Sequence, residues 1–163
     1  MILLRKADEN DISVIIDLAE KIWPETYLGY LSETQLRYML DKMYNRAELL
    51  NQMQNGHTFL IASEEGKDLG FAGFSLTDPA KETYKLHKLY VLPETQGKGI
   101  GKLLINQVIS LIDGSKALQL NVNRNNNAKD FYERMGFKIK ETVDLDIGNG
   151  FFMNDYVMER SLS

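Results

Sequence analysis

One stretch decides the fold: Leu89–Leu104, which has the sequence LYVLPETQGKGIGKLL. Its first residues are apolar, aromatic or β-branched, as is typical of a buried strand. Pro93 ends that strand because proline has no N–H to donate to a neighbouring strand. Glycines follow at alternate positions, and apolar residues then recur at helical spacing. The stretch therefore predicts a strand, a glycine-rich turn and a helix.

The glycine-rich turn predicts a site for an anionic group. A glycine turn that leads into a helix directs several unpaired N–H groups to one place, where a phosphate fits most naturally. Lys98 and Lys102 add positive charge there. A Walker loop does not fit because Lys102 is followed by Leu103 instead of Ser or Thr, and a dinucleotide fingerprint would need glycine at position 102. A plain strand-to-helix turn without a ligand is the alternative.

A second informative stretch is Asn125–Phe137, with the sequence NNNAKDFYERMGF. It resembles the pattern N-x-x-A-x-x-F-Y-x-x-x-G-F of the GNAT acyltransferases at every specified position. The sequence QGKGIG at 96–101, directly after YVLP at 90–93, is similar to the loop with which that family binds the pyrophosphate of acetyl-coenzyme A. The resemblance is specific over residues 83–137. It implies an N-acetyltransferase that moves an acetyl group from acetyl-CoA to a primary amine by direct transfer in a ternary complex.

A narrower likeness extends over the whole chain. The chain is similar to the bacterial PaiA-type group of spermidine/spermine N-acetyltransferases in Leu86–Val91, in Asn125–Phe137 and in Gly150–Met158. This likeness implies a small amine or a polyamine as the acceptor. Lys85 and His87 stand where that group has acidic residues on the strand.

The order of patterns along the chain predicts an α/β (α+β) fold in a single domain over residues 1–163. One strand is followed by helices, three strands, a helix, a strand, a helix and two strands. This order indicates a mixed central sheet of about seven strands with helices on both faces. We expect the first helix to be capped by Asp8 or Asn10 and broken by Pro24, and Ser32 to cap the second helix.

Composition excludes several kinds of chemistry. The chain of 163 residues is 44% hydrophobic and 26% charged, which is typical of a globular protein. It has no cysteine, which excludes thiol nucleophiles, disulfides and cysteine–metal sites. His57 and His87 are its two histidines, so we expect no metal site.

Charge and hydropathy also limit the expected partners. The net charge of −4 argues against nucleic-acid binding. No signal peptide and no apolar run of membrane-spanning length is visible, so we expect a cytoplasmic protein without a membrane partner. We expect a monomer or a homodimer.

The resemblance implies a role for each matched cofactor position. The backbone amides from Gln96 through Lys102 would bind the pyrophosphate, and the strand before them would pair with the pantetheine arm where two strands splay. The Val91 N–H would face the thioester carbonyl, and Asn125 would bond the pantetheine or phosphate region. The predicted cofactor-binding residues are Leu89, Tyr90, Val91, Gln96, Gly97, Lys98, Gly99, Ile100, Gly101, Lys102, Asn125 and Tyr132.

Tyr132 also has a predicted catalytic role. It matches the tyrosine whose hydroxyl protonates the departing thiolate in the GNAT family. The alternative is a core aromatic residue paired with Phe131.

The general base is where the sequence departs from the family pattern. Many relatives have a glutamate on the strand before the glycine turn, where this chain has Lys85 and His87. Alternation puts these two residues on one face with Leu89 and Val91 if no bulge intervenes. His87 is the candidate base because a neutral imidazole titrates near the working pH. A structural histidine, a water relay and proton loss to solvent are the alternatives.

The acceptor site is predicted from aromatic residues near scattered acids such as Glu25 and Asp155, which could hold a cation. Ordinary core packing is the alternative. The predicted acceptor-binding residues are Trp23, Tyr27, Tyr30, His87 and Phe152.

Two other functions remain open at this point. A protein N-terminal or lysine acetyltransferase would need an open groove between the second helix and the last hairpin. A non-catalytic acyl-CoA sensor would keep the cofactor site without turnover.

Overall fold

The computed structural model describes residues 1–163, and a mixed sheet lies at its centre. Its strands are β1 (Ile2–Lys6), β2 (Thr58–Glu64), β3 (Lys67–Asp78), β4 (Thr83–Val91), β5 (Ala117–Asn123), β6 (Lys138–Gly148) and β7 (Phe151–Ser161). They form one seven-stranded sheet in the order β1-β2-β3-β4-β5-β7-β6. Only β4 and β5 pair in parallel. The predicted mixed sheet of about seven strands is confirmed.

Five helices connect these strands. They are α1 (Ile12–Tyr27), α2 (Glu33–Met43), α3 (Arg46–Gln54), α4 (Ile100–Leu111) and α5 (Ala128–Arg134). The Ser32 hydroxyl accepts a hydrogen bond from the Gln35 N–H at 3.1 Å, so the predicted cap of α2 is confirmed. None of the five helices combines the length and the apolar character that a membrane crossing requires.

One predicted boundary is wrong, because α1 continues through Pro24 to Tyr27. Proline removes a single N–H donor, and its position in the last turns limits the loss. The Thr26 hydroxyl donates to the Ile22 carbonyl at 3.1 Å, and the Leu28 N–H donates to the Pro24 carbonyl at 3.1 Å. The additional turn keeps Tyr27 on the buried face of the helix.

Helices cover both faces of the sheet, as the sequence predicts. Phe71 and Ala72 are neighbours in β3 and point to opposite faces, yet both are fully buried. The Phe71 ring lies 6.0 Å from the Tyr44 ring, beside the end of α2. The helices α1–α3 therefore cover this face, while α4, with Leu104 and Ile105 fully buried, packs on the other face together with α5.

The sheet splits between β4 and β5. Their parallel pairing runs only from the Thr83–Ala117 pair to the Leu86–Leu120 pair. Beyond that point residues 87–91 of β4 have no partner in β5, which continues to pair with β7 instead. One side of β4 therefore has free N–H and carbonyl groups.

A β-bulge interrupts β4 at the start of the split. Gly73 of β3 pairs with Lys88, but the next residue, Phe74, pairs with Leu86. His87 is therefore the additional residue of β4, and the alternation of side chains is broken there.

Candidate active site

A cavity of about 1080 Å³ passes through the split between β4 and β5. Residues of α1 and α3 line it on one face of the sheet, and the glycine turn, α4 and α5 line it on the other. The structure thus brings both sequence motifs to one cavity. The predicted cofactor residues that line it are Leu89, Tyr90, Val91, Gln96, Gly97, Gly99, Ile100, Gly101, Lys102, Asn125 and Tyr132.

The three glycines of the turn have two different roles. Gly97 and Gly99 have φ angles of 91° and 74°, in a region that side chains disfavour. No atom would lie within 4 Å of a Cβ on either residue, so the space beside them is open to a ligand. A Cβ on Gly101 would lie 3.3 Å from the Phe131 ring, so this glycine lets α4 approach α5 closely.

The backbone amides of the turn also fall into two sets. The N–H groups of Gln96 and Lys98 donate to carbonyls inside the turn, at 3.2 and 3.3 Å, and hold its shape. Those of Gly97 and Gly99 make no backbone hydrogen bond. The first N–H groups of α4 have no intrahelical acceptor and add positive partial charge. An anion would therefore bind alternate amides of the turn and the helix start, rather than the whole run from Gln96 to Lys102.

The two lysines of the turn differ. Lys102 lines the cavity, as predicted. The Lys98 side chain does not, because its Nζ lies 3.4 Å from Glu64 Oε1 at the end of β2. The contribution of the Lys98 side chain to the site therefore stays a prediction, which would require Lys98 to turn from Glu64 to the cavity.

The backbone of Val91 faces the split. The Leu92 N–H donates to the Leu69 carbonyl of β3 at 2.8 Å, and successive N–H groups point to opposite sides of a strand. The Val91 N–H therefore points away from β3. Gly70 lies across from it, and a Cβ there would lie 2.7 Å from the Tyr90 carbonyl oxygen. Only glycine lets β3 approach β4 this closely.

Tyr132 lines the cavity from within α5. Its ring packs 5.4 Å from Phe131 and 5.9 Å from Phe137, and burial raises its pKa above the ordinary value of a phenol. The hydroxyl is therefore protonated at neutral pH, which is the form that a proton donor needs. The residue is both a core aromatic and a group at the cavity surface.

The bulge changes the face on which His87 lies. His87 Nε2 lies 2.7 Å from the Ser75 hydroxyl, on the α1–α3 face of the sheet. Leu89 pairs with Ala72 and points to the opposite face. The expectation that His87 shares a face with Leu89 and Val91 is therefore wrong, because the additional residue shifts the alternation.

The surroundings of His87 make it a weak proton acceptor. Its ring stacks on His57 with 4.5 Å between the centroids. Burial, followed by the charges of His57, Lys88 and Lys85, lowers the pKa of His87 to about 3. The imidazole is neutral at physiological pH.

The predicted aromatic residues of the acceptor side mostly line the cavity. Trp23 and Tyr27 do so but are almost fully buried, and the Tyr27 hydroxyl lies 2.8 Å from the Tyr90 hydroxyl. Tyr30 is only half-buried, and its hydroxyl has no hydrogen-bond partner although solvent does not reach it. Tyr30 is therefore the most available of the three for a ligand.

The predicted acceptor residue Phe152 does not line the cavity and is 49% exposed. Alternation along β7 turns Met153 and Asp155 to the cavity and Phe152 away from it. Phe152 thus lies one position away from the cavity-facing residues of β7, and its contact with an acceptor stays a prediction.

Lys88 is a cavity residue that the sequence does not reveal. It is 9% exposed, and its Nζ donates to Gln52 Oε1 at 2.8 Å. The ammonium lies 5.4 Å from the centre of the Phe59 ring and 5.8 Å from that of Tyr44, and burial lowers its pKa to about 8. Lys88 shares this face with Tyr90 by ordinary alternation along β4, and the bulge adds His87 to the same face.

Asp155 is a buried carboxylate at the cavity and is 2% exposed. Its Oδ2 accepts a hydrogen bond from Asn121 Nδ2 at 3.4 Å, and its Oδ1 has no partner. Burial raises the pKa of Asp155 above the usual range. No cluster of three side chains in the structure could hold a metal ion.

Hydrogen bonds join α2 to the β6–β7 hairpin at the acceptor end. The Tyr38 hydroxyl and Lys42 Nζ both donate to the Ile147 carbonyl, at 2.7 and 2.9 Å. Gln35 Nε2 donates to the Phe152 carbonyl at 3.0 Å. The gap between α2 and the hairpin is therefore bridged along its length.

Comparison with known proteins identifies a matching family. A family model described as an acetyltransferase (GNAT) domain matches residues 27–159. This range includes the glycine turn, the split between β4 and β5, and Tyr132.

Individual relatives match over nearly the full length. The spermidine N(1)-acetyltransferase of Thermoplasma acidophilum is 28% identical over 165 residues, which cover 96% of this chain and 95% of the relative. The crystal structure of the PaiA N-acetyltransferase from the same organism, in complex with coenzyme A, is similar with a TM-score of 0.82 at 27% identity, over 99% of both chains. A GCN5-related N-acetyltransferase from Rhodopseudomonas palustris has a TM-score of 0.81 at 25% identity, over 98% of this chain and 95% of its own.

Proposed function

Because the chain belongs to the GNAT acetyltransferase family and is an acetyl-CoA-dependent N-acetyltransferase, we propose that its acceptor is a small primary amine of the polyamine class. Family membership favours an enzyme over a sensor without turnover. The acetyl group passes directly from acetyl-CoA to the amine while both are bound.

The donor side of the cavity fits the parts of coenzyme A in order. The free amides of Gly97 and Gly99, together with the start of α4, are suited to the pyrophosphate. The pantetheine arm occupies the split, where residues 87–91 of β4 have unpaired backbone groups. Asn125 and Lys102 line the same part of the cavity.

Two groups support the chemical step. The Val91 N–H donates to the thioester oxygen as negative charge develops there. The Tyr132 hydroxyl donates a proton to the leaving thiolate. The chain has no cysteine that could carry the acetyl group, which favours direct transfer.

One observation limits the size of the acceptor, namely the hydrogen-bonded bridge between α2 and the β6–β7 hairpin. A polypeptide acceptor would need an open groove at this place, but Tyr38 and Lys42 both bond the Ile147 carbonyl across it. A Cβ on Gly148 would lie 2.7 Å from the Tyr38 hydroxyl, so the two elements are in close contact. This closure favours a slender acceptor over a protein chain.

The lining of the cavity favours a positively charged acceptor. Aromatic rings and the acidic residues Glu25, Glu48 and Asp155 line its acceptor half, and both kinds of group bind organic cations. The similar protein from Thermoplasma acidophilum is a spermidine N(1)-acetyltransferase. Both points support a polyamine.

The test is thiol release from acetyl-CoA, measured without acceptor and then with spermidine, spermine, lysine and short lysine peptides. We expect strong stimulation by spermidine or spermine and little by peptides. Stimulation by peptides alone would refute the polyamine proposal and support the protein acetyltransferase alternative.

A further inference from the structure

We propose that Asp155 is the group that binds the ammonium of the acceptor and accepts its proton. This assignment depends on the amine acceptor proposed above. It gives a general base to a chain that has Lys85 and His87 where many relatives have a glutamate.

The burial of Asp155 is unusual for a carboxylate without a cationic partner. Its side chain is 2% exposed, and no lysine, arginine or histidine forms an ion pair with it. Burying a charge without a partner is costly, so such groups in native proteins have a partner or a function. An acceptor ammonium would supply the missing positive charge.

The position of Asp155 matches the place where the acetyl group would arrive. Asp155 lies on β7 opposite Asn123 of β5. The last pair between β4 and β5 is Leu86–Leu120, so this part of β5 borders the split. The carboxylate therefore lies at the acceptor end of the channel that holds the thioester arm.

The two oxygens of the carboxylate have different surroundings. Oδ2 accepts a hydrogen bond from Asn121 Nδ2 at 3.4 Å, which orients the group. Oδ1 and the hydroxyl of Tyr30 are both buried and have no hydrogen-bond partner. An ammonium has three N–H donors, and these two oxygens are acceptors that no protein group uses.

Charged neighbours adjust the basicity of Asp155 without neutralising it. Burial is the main effect and raises its pKa, whereas Asn121, Lys85 and Arg124 lower it. Arg124 is itself paired with Asp144, and the β6 residue opposite Asp155 is the apolar Val143. Burial, followed by the negative charge of Asp155, raises the pKa of Tyr30, so the tyrosine stays protonated.

The three protons of the bound ammonium have separate destinations. The bound ammonium gives one proton to Asp155, and the free amine attacks the thioester carbonyl carbon. The carbon–sulfur bond breaks, Tyr132 gives its proton to the thiolate, and the second amine proton replaces the one that Tyr132 lost. The third proton remains on the amide nitrogen, and Asp155 releases its proton to solvent.

His87 is a weaker candidate for the general base than Asp155. Burial and the charges of His57, Lys88 and Lys85 lower the pKa of His87, so its surroundings disfavour the proton that a base must accept. Its Nε2 is already engaged by the Ser75 hydroxyl at 2.7 Å. Asp155 has a free oxygen and a negative charge, and burial raises its pKa above the ordinary value of a carboxyl group.

The experiment compares Asp155→Asn with the wild type and with Glu141→Gln, which removes an exposed carboxylate of β6 outside the cavity. The probe is spermidine with saturating acetyl-CoA. We expect kcat/KM at pH 7 to fall at least about 100-fold in Asp155→Asn, because general base catalysis contributes on this scale. Glu141→Gln should match the wild type, and both variants should bind coenzyme A normally.

A pH profile separates proton transfer from a structural defect. The Asp155→Asn variant lacks the proton acceptor and can use only amine that is already neutral in solution. The neutral fraction of an amine with a pKa near 10 rises about tenfold per pH unit, so the kcat/KM of this variant should rise about tenfold per pH unit between pH 7 and pH 9. The wild type should rise less steeply. A wild-type rate and profile in Asp155→Asn would overturn the assignment, as would a reduced rate with the same pH slope as the wild type.

The polyamine proposal can fail independently of this one. If the wild type acetylates a lysine peptide but not spermidine, the polyamine class is wrong. The same comparison with the peptide then tests Asp155: a large loss with a steeper pH slope supports it, and an unchanged rate refutes it.

Discussion

The hydroxyl of Tyr27 lies 2.8 Å from the hydroxyl of Tyr90. One residue is in the last turn of α1, and the other is in the part of β4 that pairs with β3 but not with β5. The contact therefore joins α1, which lines the cavity on one face of the sheet, to β4, which carries the Val91 N–H. Burial raises the pKa of both phenols, so both stay protonated and each can donate or accept.

We predict that Tyr27→Phe and Tyr90→Phe each lower the free energy of unfolding by about 1–3 kcal/mol, because each leaves a buried hydroxyl without a partner. The double variant should lose less than the sum of the two, since it removes both polar groups. Urea unfolding of the four proteins measures this. Strict additivity would mean that the two hydroxyls do not interact.

The glycine turn gives a prediction about cofactor affinity. Gly99→Val should reduce coenzyme A affinity at least about tenfold, because the side chain would occupy open space beside the amides and strain a backbone with φ of 74°. Gly114→Val is the matched control: Gly114 has φ of 89° and equally open surroundings beyond the far end of α4. Calorimetry should show normal affinity in the control, and equal losses in both variants would disprove an anion site at the turn.

For Tyr132→Phe we predict a fall in kcat of about 100-fold or more with little change in coenzyme A affinity, because the ring packing is kept and only the proton donor is lost. Tyr84→Phe, which alters a half-buried tyrosine outside the cavity, should behave like the wild type. Steady-state kinetics with the preferred amine measures both. An unchanged kcat would remove Tyr132 as the acid.

We predict that His87 makes the stability of the fold depend on pH and leaves the pH dependence of catalysis unchanged. Its pKa falls from 6.5 to about 3 on folding, so below pH 6.5 the unfolded chain binds a proton that the folded chain does not. Stability should therefore decrease as the pH falls from about 6.5 towards 3, with a slope of up to about 1.4 kcal/mol per pH unit from this group. Urea unfolding of His87→Gln at pH 7 and pH 4.5 should show a smaller difference than the wild type.

Activity provides the complementary measurement. His87 is neutral above about pH 5, so His87→Gln should keep the shape of the wild-type activity profile from pH 6 to pH 9. Loss of an activity transition near neutral pH in this variant would instead support His87 as the base.

We predict that substitution of Gly70 lowers kcat by displacing the backbone of β4. Gly70→Ala would put a Cβ 2.7 Å from the Tyr90 carbonyl oxygen, so β4 must move where it carries the Val91 N–H. We expect a loss of about 1–3 kcal/mol in stability and a larger relative fall in kcat than in coenzyme A affinity. Equal falls in both would indicate a general loss of structure.

Much of the fold follows from local patterns. The strand, turn and helix around Pro93 and the glycines were predictable because each step has its own backbone chemistry. Ser32 marked the start of α2 for the same reason. The cofactor half of the site lies on these elements, so the sequence also predicted most of its lining.

The acceptor half was less predictable because it depends on long-range pairing. The bulge at His87 arises only when β4 pairs with β3, and it puts His87 on the same face as Lys88. Asp155 lines the cavity and Phe152 does not, because the register of β7 decides which alternate residues face the cavity. Neither register nor bulge has a local signal in this chain.

The pairing of β4 with β5 ends at Leu86–Leu120, which leaves an opening in the sheet beyond this pair. The sheet separates its two faces except at this opening, so in the proposed reaction the thioester arm and the amine would approach each other from opposite faces. Substitutions among α1, α3 and β7 can then change which amine is accepted without altering the nucleotide side. A lineage could diversify its acceptors while the donor half stayed constant.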